Sequence, residues 1–310
     1  MITLVSENSK KPIYLFDWFV IGYCFLMVIL ISIIGRSWNQ YWDELSFYTG
    51  MAVLSYVITQ YIDEDKNNLN RILRLLYPVM LFTFFYRATG GLMFLLFDNF
   101  FDSQIISLEK FIFGISPTHF IDQNLLSPWL TEPISFCYFS YYFMVPVFFI
   151  ILYVKKDFEI IKNSMSAICL TFFLSYMLFF LYPVEGPRWV FAGQYINDIQ
   201  GPVFRRLVEM VIENGAVRGG CMPSSHFGIA LVITMYSFKF YRSKAWMITI
   251  LTIGVAIGTV WGRFHYVSDV VVGGLIGLIV TLIIWRLNDS KRDNISKKTN
   301  KPEIINKNVS

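Results

Sequence analysis

The apolar residues of this chain come in long blocks and not at the spacing of an amphipathic helix, which leaves few folds open to it. About 20 apolar residues in helical form cross a hydrocarbon core of roughly 30 Å. Inside that core every backbone N–H and C=O must be satisfied by the chain itself, so the expected fold class is all-α, a polytopic membrane helix bundle. Composition agrees. Of 310 residues, 55% are hydrophobic, 18% aromatic and only 15% charged, against about 25% charged in a soluble domain. Mean hydropathy is +0.52. About eight transmembrane helices are expected, near 13–35, 45–62, 72–97, 131–154, 164–183, 226–241, 245–262 and 268–287. The sixth and seventh are short for a crossing. The first is too long for a signal peptide, carries Asp17 at its start and lacks a small-residue cleavage site.

Charge placement gives the orientation. Lys10 and Lys11, then Lys66, Arg71 and Arg74, then Lys155, Lys156 and Lys162, then Lys239, Arg242 and Lys244 lie in alternate connecting segments. Arg286 and the lysine-rich tail return to the same side. The positive-inside rule makes that side cytoplasmic, with both termini there. The opposite loops carry Asp43, Glu44, Asp98, Asp102, Glu109, Asp122 and Glu132. Arg188, Arg205, Arg206, Arg218 and Arg263 break the sorting, and all five lie in the two outer loops that also hold histidines. An anionic substrate is the physical reason to keep them there. The expected location is a bacterial inner membrane, with the site facing the periplasm or exterior.

Four segments follow. Residues 1–97 form an N-terminal group of three spans, and 98–130 an interfacial helix with a loop. Residues 131–287 form a five-span core that holds the chemistry, and 288–310 a disordered basic tail on the cytoplasmic side. A loop of about forty residues joins the fifth and sixth spans, and loops of that size are often functional. Within it, 203–212 is expected to form a short amphipathic helix. Of the four cysteines, Cys24, Cys137 and Cys169 fall inside spans, whereas Cys221 stands in a histidine loop as either a small apolar residue or a reactive thiol.

Two of the three histidines, His226 and His265, sit at the mouths of apolar helices, in the runs 219–226 and 262–269. One helix goes in and the next comes back, so the two are expected on one face of the membrane. Asp269 is four residues after His265 and is placed to accept a hydrogen bond from one imidazole nitrogen, leaving the other free to attack. A histidine nucleophile, a carboxylate that orients it and a second histidine that protonates a leaving group make a phosphoryl-transfer site. Arg188, Arg263 and Arg218 are candidates to hold phosphate through their guanidinium forks. Ser224 and Ser225 open the sixth helix after Pro223, where free N–H groups and the helix dipole favour an anion. A metal site built on His226, His265 and Asp269 is chemically conceivable, but the surrounding arginines suit an anion. His119 fits neither motif and is read as an interface residue.

These residues together resemble the type 2 phosphatidic acid phosphatase superfamily. Pro223-Ser224-Ser225-His226 is similar to the family's second motif, with Ser in place of Gly. His265 and Asp269, followed by Gly273 and Gly274, are similar to its third. Pro187-Arg188 looks like the end of its first, in altered order, and 117–129 looks similar to the inositol phosphorylceramide synthase-like branch. The resemblance implies His265 as nucleophile through a phosphohistidine, Asp269 orienting it, His226 as proton donor, arginines on the phosphate, and no metal or cofactor. The family's Lys of the first motif and Arg of the third are replaced by Leu181 and Thr259, and Arg263 and Arg218 are expected to stand in. The leading expectation is a membrane lipid phosphatase. Head-group phosphotransfer is the alternative, and a non-enzymatic anion or lipid transporter the third reading. The expected partners are the bilayer and a membrane lipid phosphate, not nucleic acid, with the oligomeric state left open.

Overall fold

The computed structural model describes residues 11–35 and 38–299, most of which are helical. Among them the single β-type pairing is an isolated bridge between Val184 and Gly220. The helices are α1 (Leu15–Ile34), α2 (Trp42–Tyr61), α3 (Asn68–Leu92), α4 (Asp102–Phe113), α5 (Pro117–Asn124), α6 (Pro128–Val154), α7 (Phe158–Leu181), α8 (Pro187–Val190), α9 (Phe204–Gly215), α10 (Ser225–Phe240), α11 (Arg242–Trp261) and α12 (Val267–Thr299).

The chain is thus an all-α membrane helix bundle, but the number of spans needs correcting. Among the described residues, five helices are long and apolar enough to cross a bilayer: α1, α6, α7, α11, and α12 as far as Ser290. The other three expected spans fall short for physical reasons. Helices α2 and α3 have the length, 20 and 25 residues, but polar and charged side chains dilute them, among them Asp43 and Glu44 in α2 and Arg71, Arg74 and Arg87 in α3. Helix α10 has 16 residues, about 24 Å at a rise of 1.5 Å per residue.

Helix ends follow local chemistry. Ser127 caps α6, its side chain accepting from the Leu130 N–H at 3.4 Å, with Pro128 as the first helical residue. Asn67 caps α3 through the Asn70 N–H at 2.8 Å. The stretch expected as an interfacial helix and loop becomes the two short helices α4 and α5, and the amphipathic helix expected at 203–212 is α9. Helix α12 continues to Thr299, so the first part of the expected disordered tail is helical. Propagating a formed helix is far easier than starting one. Residues 300–310 lie outside the described residues.

Helix α7 forms the centre, with α1, α3, α10 and α12 against it. Helix α10 is wedged between α11 and α12, and α6 lies between α11 and α9. The α10–α12 crossing is close enough to require glycine. A Cβ on Gly273 would fall 2.2 Å from the Ser224 carbonyl oxygen, and one on Gly277 would fall 2.4 Å from that of Gly228. Small residues let membrane helices approach at backbone distance, and this approach fixes where α10 begins relative to α12.

A buried ion pair fastens the N-terminal helices to one another. Arg74 is 2% exposed and Asp17 0%. The guanidinium donates to both Asp17 oxygens, at 2.9 and 2.5 Å, and to the Pro12 carbonyl at 2.9 Å. Tyr77 Oη and the Tyr14 N–H complete the shell of Asp17 at 2.9 and 2.7 Å. Removing one partner leaves an uncompensated buried charge. Asp17→Ala should therefore lose about 3–5 kcal/mol of stability, and Asp17→Leu combined with Arg74→Met should recover most of it. Denaturant titration of the purified protein in mixed micelles measures both.

Candidate active site

Three loop segments are drawn together at one end of the bundle. The first, between α7 and α8, pairs with the run before α10: Val184 N–H donates to the Gly219 carbonyl at 3.2 Å, and Cys221 N–H to the Val184 carbonyl at 3.1 Å. The third segment joins α11 to α12. Its turn is closed by Thr259, whose carbonyl accepts from the Phe264 and His265 N–H groups at 2.9 and 3.1 Å. Asp102, at the start of α4, clamps these segments together. Its carboxylate accepts from the Glu185 and Gly186 N–H groups, both at 2.8 Å, and from Tyr266 Oη at 3.0 Å.

This arrangement brings His226 and His265 together, with ring centroids 6.0 Å apart. Asp269, fully buried, has Oδ2 3.5 Å from His265 Nδ1. The same oxygen accepts from the Tyr266 N–H and from Cys221 Sγ, each at 2.8 Å. The Asp269 carbonyl accepts from Ser224 N–H at 2.9 Å, so one residue ties both histidine motifs to each other. His226 is ringed by Tyr141 and Tyr138, at 4.5 and 5.5 Å between centroids, and its Nδ1 has no hydrogen-bond partner. Ser224 is the residue before α10 and Ser225 its first. Both are buried, and Ser224 Oγ is without a partner. The first turn of α10 therefore presents free N–H groups toward the histidine cavity.

The arginines divide. Arg188 lines the small cavity of about 60 Å³ that both histidines border. Arg218 is instead paired with Glu185 and lies 61% exposed. Arg263 donates to Asp122 at 2.8 Å and to the Asn197 carbonyl at 2.6 Å, and its guanidinium stacks 3.7 Å from the Tyr195 ring centre. It borders a separate, larger cavity of about 860 Å³ together with Arg188, Arg205 and Arg206. Neither residue expected to replace the family's missing basic groups thus reaches the histidine cavity. His119 is packed between Phe191 and Tyr195, at 4.5 and 5.0 Å between ring centroids.

Two features of this region escape a reading of the sequence. The first is a bridge: Glu209 of α9 accepts from Arg188 through one oxygen and from Arg205 through the other, the latter at 2.6 Å. Burial pushes the Glu209 carboxyl up, but the hydrogen bond from Arg188 and the two arginine charges outweigh it, so the group sits below its ordinary value. The i,i+4 spacing of Arg205 and Glu209 was the available signal. The second is Cys221, whose partner is 48 positions away. Cys221, His265 and Asp269 place one possible metal-ligand atom each within 4.8 Å of one another. The contacts present are those of a thiol donating to a carboxylate.

An apolar cavity of about 300 Å³ adjoins the histidine cavity. Tyr86, Ile212, Ala216, Ser225 and His226 border both. Phe82, Tyr141, Tyr142, Phe172 and Tyr176 form much of its remaining wall.

A membrane helix bundle whose loops converge two histidines and an arginine on one cavity defines a narrow class of protein. The chain belongs to the PAP2 superfamily, which matches residues 103–284, more than half of its length. The match begins in α4. The chain is also similar to a PA-phosphatase related-family protein of Dictyostelium discoideum, 31% identical over 104 residues. That alignment covers 32% of this chain and 19% of the relative, so the chain spans about a fifth of the relative's length. No solved structure matches the chain. Family membership supports a phosphatase-type activity.

Burial, and then the Asp269 charge beside it, push the Cys221 thiol well above its ordinary value. A raised thiol pKa leaves little of the reactive thiolate at neutral pH. Iodoacetamide at pH 7 should therefore leave Cys221 unmodified in the folded protein and modify it only after denaturation, as read by mass spectrometry of the peptide.

Proposed function

We propose that this protein is a lipid phosphatase that hydrolyses a lipid phosphomonoester through a phosphohistidine. The observation that carries the reading is the meeting of His226, His265 and Arg188 on one cavity that opens into an aromatic groove. The lipid tail enters from the bilayer into the groove lined by Phe82, Tyr142 and Phe172. Its phosphate lies against Arg188, Ser224, Ser225 and the first N–H groups of α10, where guanidinium and helix dipole both favour negative charge.

His265 attacks phosphorus through Nε2 while Asp269 holds the Nδ1–H. The 3.5 Å separation is loose, as catalytic contacts often are before substrate tightens them. A P–N bond forms as the P–O bond to the lipid breaks, and His226 gives a proton to the departing oxygen. Water then attacks the phosphohistidine, losing its proton to His226, and inorganic phosphate leaves with His265 restored. Each step uses groups of this chain. The site faces the side opposite the basic connecting segments, the exterior of a bacterial inner membrane in this reading. If an alcohol instead of water takes the phosphoryl group, the same first half serves head-group transfer.

Phosphate release over a panel of lipid phosphates, by purified protein in detergent without added metal, tests the reading. Wild type should release phosphate, and His265→Ala should lose at least about 10³-fold in rate. Release unaffected by that change would remove His265 as nucleophile, and phosphate appearing only in an added alcohol would make the protein a transferase. For the orientation, a cysteine introduced at Gln194 should react with an impermeant reagent from the exterior of intact cells. Labelling from the cytoplasmic side alone would reverse the topology.

A further inference from the structure

The mechanism proposed above uses Nε2 of His265 for attack and asks of Nδ1 only that it face a carboxylate. The structure puts a thiol there as well. Cys221 Sγ lies 3.6 Å from Nδ1 and Asp269 Oδ2 lies 3.5 Å from it, while the sulfur and that oxygen are 2.8 Å apart. All three residues are buried, Cys221 4%, His265 5% and Asp269 0% exposed. The second oxygen of Asp269, Oδ1, is buried without a partner. Orienting an imidazole needs the carboxylate alone, so the mechanism gives the sulfur no task.

One sulfur, one imidazole nitrogen and one carboxylate oxygen at this spacing are the donor set of zinc. Tetrahedral Zn²⁺ takes them at about 2.3, 2.0–2.1 and 2.0–2.2 Å, which sets the donor atoms about 3.3–3.6 Å from one another. Two edges of the triangle already have that length. The edge from sulfur to Oδ2 is shorter by about 0.7 Å because the thiol hydrogen bond closes it, and that bond goes when the thiol gives up its proton. The ligands are held from behind: Tyr266 N–H donates to Oδ2 at 2.8 Å, and Cys221 N–H to the Val184 carbonyl at 3.1 Å. Gly186 leaves the sulfur its space, since a Cβ there would fall 2.9 Å from it. Mg²⁺ and Ca²⁺ require shells of oxygen, which this corner lacks. A thiolate and a carboxylate together balance the charge of Zn²⁺, so Arg188 nearby does not oppose the filled site. Cys221 and His265 both border the histidine cavity, which gives the ion its way in.

We infer that Cys221, His265 and Asp269 form a zinc site that switches the nucleophile off. The site stands on its own geometry, and only its inhibitory effect rests on the phosphatase reading. Zn²⁺ bonds to Sγ, Nδ1 and Oδ2, and a water completes the tetrahedron. The thiol proton passes to solvent. The Nδ1 proton leaves as well and Nε2 takes one up, because a neutral imidazole that binds a metal at Nδ1 carries its proton at Nε2. The balance is one proton released for each ion bound. The lone pair with which His265 attacks phosphorus is then covered by a proton, and no P–N bond forms. A chelator that removes the ion returns the proton to Nδ1 and frees Nε2.

The probes are Co²⁺ and Zn²⁺, added to full-length protein in detergent after treatment with a chelator. Co²⁺ reports the sulfur bond through a thiolate-to-metal charge-transfer band in the near ultraviolet. Wild type should show that band at one ion per chain, and Zn²⁺ should abolish it by displacement. Cys221→Ser keeps the size of the side chain and a donor for Asp269. It should lack the band and bind Zn²⁺ at least about 100-fold more weakly, since losing a ligand outweighs the 10–100-fold that losing an outer partner costs. No band in wild type, or the same band in Cys221→Ser, would overturn the site. In turnover, Zn²⁺ at one ion per chain should stop phosphate release by wild type, equal Mg²⁺ should not, and the chelator should restore it. The fraction of release that survives Zn²⁺ should be severalfold larger in Cys221→Ser. Undiminished release from protein that shows the band would overturn the switch. If no form releases phosphate while the cysteine-dependent band is present, the phosphatase reading falls and the zinc site stands.

Discussion

Buried carboxylates at the site's end of the bundle carry its architecture, because they do for the loops what water does in a soluble enzyme. Asp102 holds two successive N–H groups before α8 and a tyrosine hydroxyl from the loop before α12. Glu109 accepts from the Ser268 N–H and hydroxyl at 2.9 and 3.2 Å, at the start of α12. Asp122 takes the Ile196 and Asn197 N–H groups, at 2.9 and 3.1 Å, and Arg263 besides. Unpaired, each of these amides would cost about 1–3 kcal/mol in a water-poor setting, and a carboxylate left without donors would cost more. Helices α4 and α5 therefore act as a template on which the active-site loops are laid. Their position fixes Arg188 and His265 without touching either.

That dependence explains what a reading of the sequence reached. Apolar blocks report on solvent, and they located α1, α6, α7, α11 and α12 because each of those is long and apolar enough to cross a bilayer. They overcounted at α2 and α3, which have the length but carry charged side chains, and at α10, which has 16 residues. Asp17 and Arg74 show the limit well. One read as a charge at a span's edge and the other as a cytoplasmic marker, yet they are 57 positions apart and form one buried pair.

The site divides along the same line. The return of α11 beside α10 follows from two short helices and a tight turn, so the approach of His226 to His265 was legible from spacing. The acids of 102–132 were legible only as charges on one side of the membrane. Their partners lie 71 to 164 positions away, and no local pattern encodes that. Arg263 and Arg218 were expected on the phosphate because they stand near histidines in sequence. Neighbouring residues on a loop need not face the same cavity. Arg263 has a positive φ of 64°, which turns the chain between it and His265 and sends its guanidinium to Asp122.

The resulting geometry joins the three cavities in series as aromatic groove, histidine chamber and arginine-lined vestibule. Each adjoining pair shares walls: His226 and Ser225 belong to the groove and the chamber, Arg188 to the chamber and the vestibule. A molecule that is apolar at one end and anionic at the other can enter this series in only one direction. Its tail cannot occupy the vestibule without stripping water from guanidiniums, and its phosphate cannot lie in the groove without losing every donor. In the proposed function, polarity alone then sets the substrate in register, with the phosphorus where groove and vestibule meet, between the two histidines and Arg188.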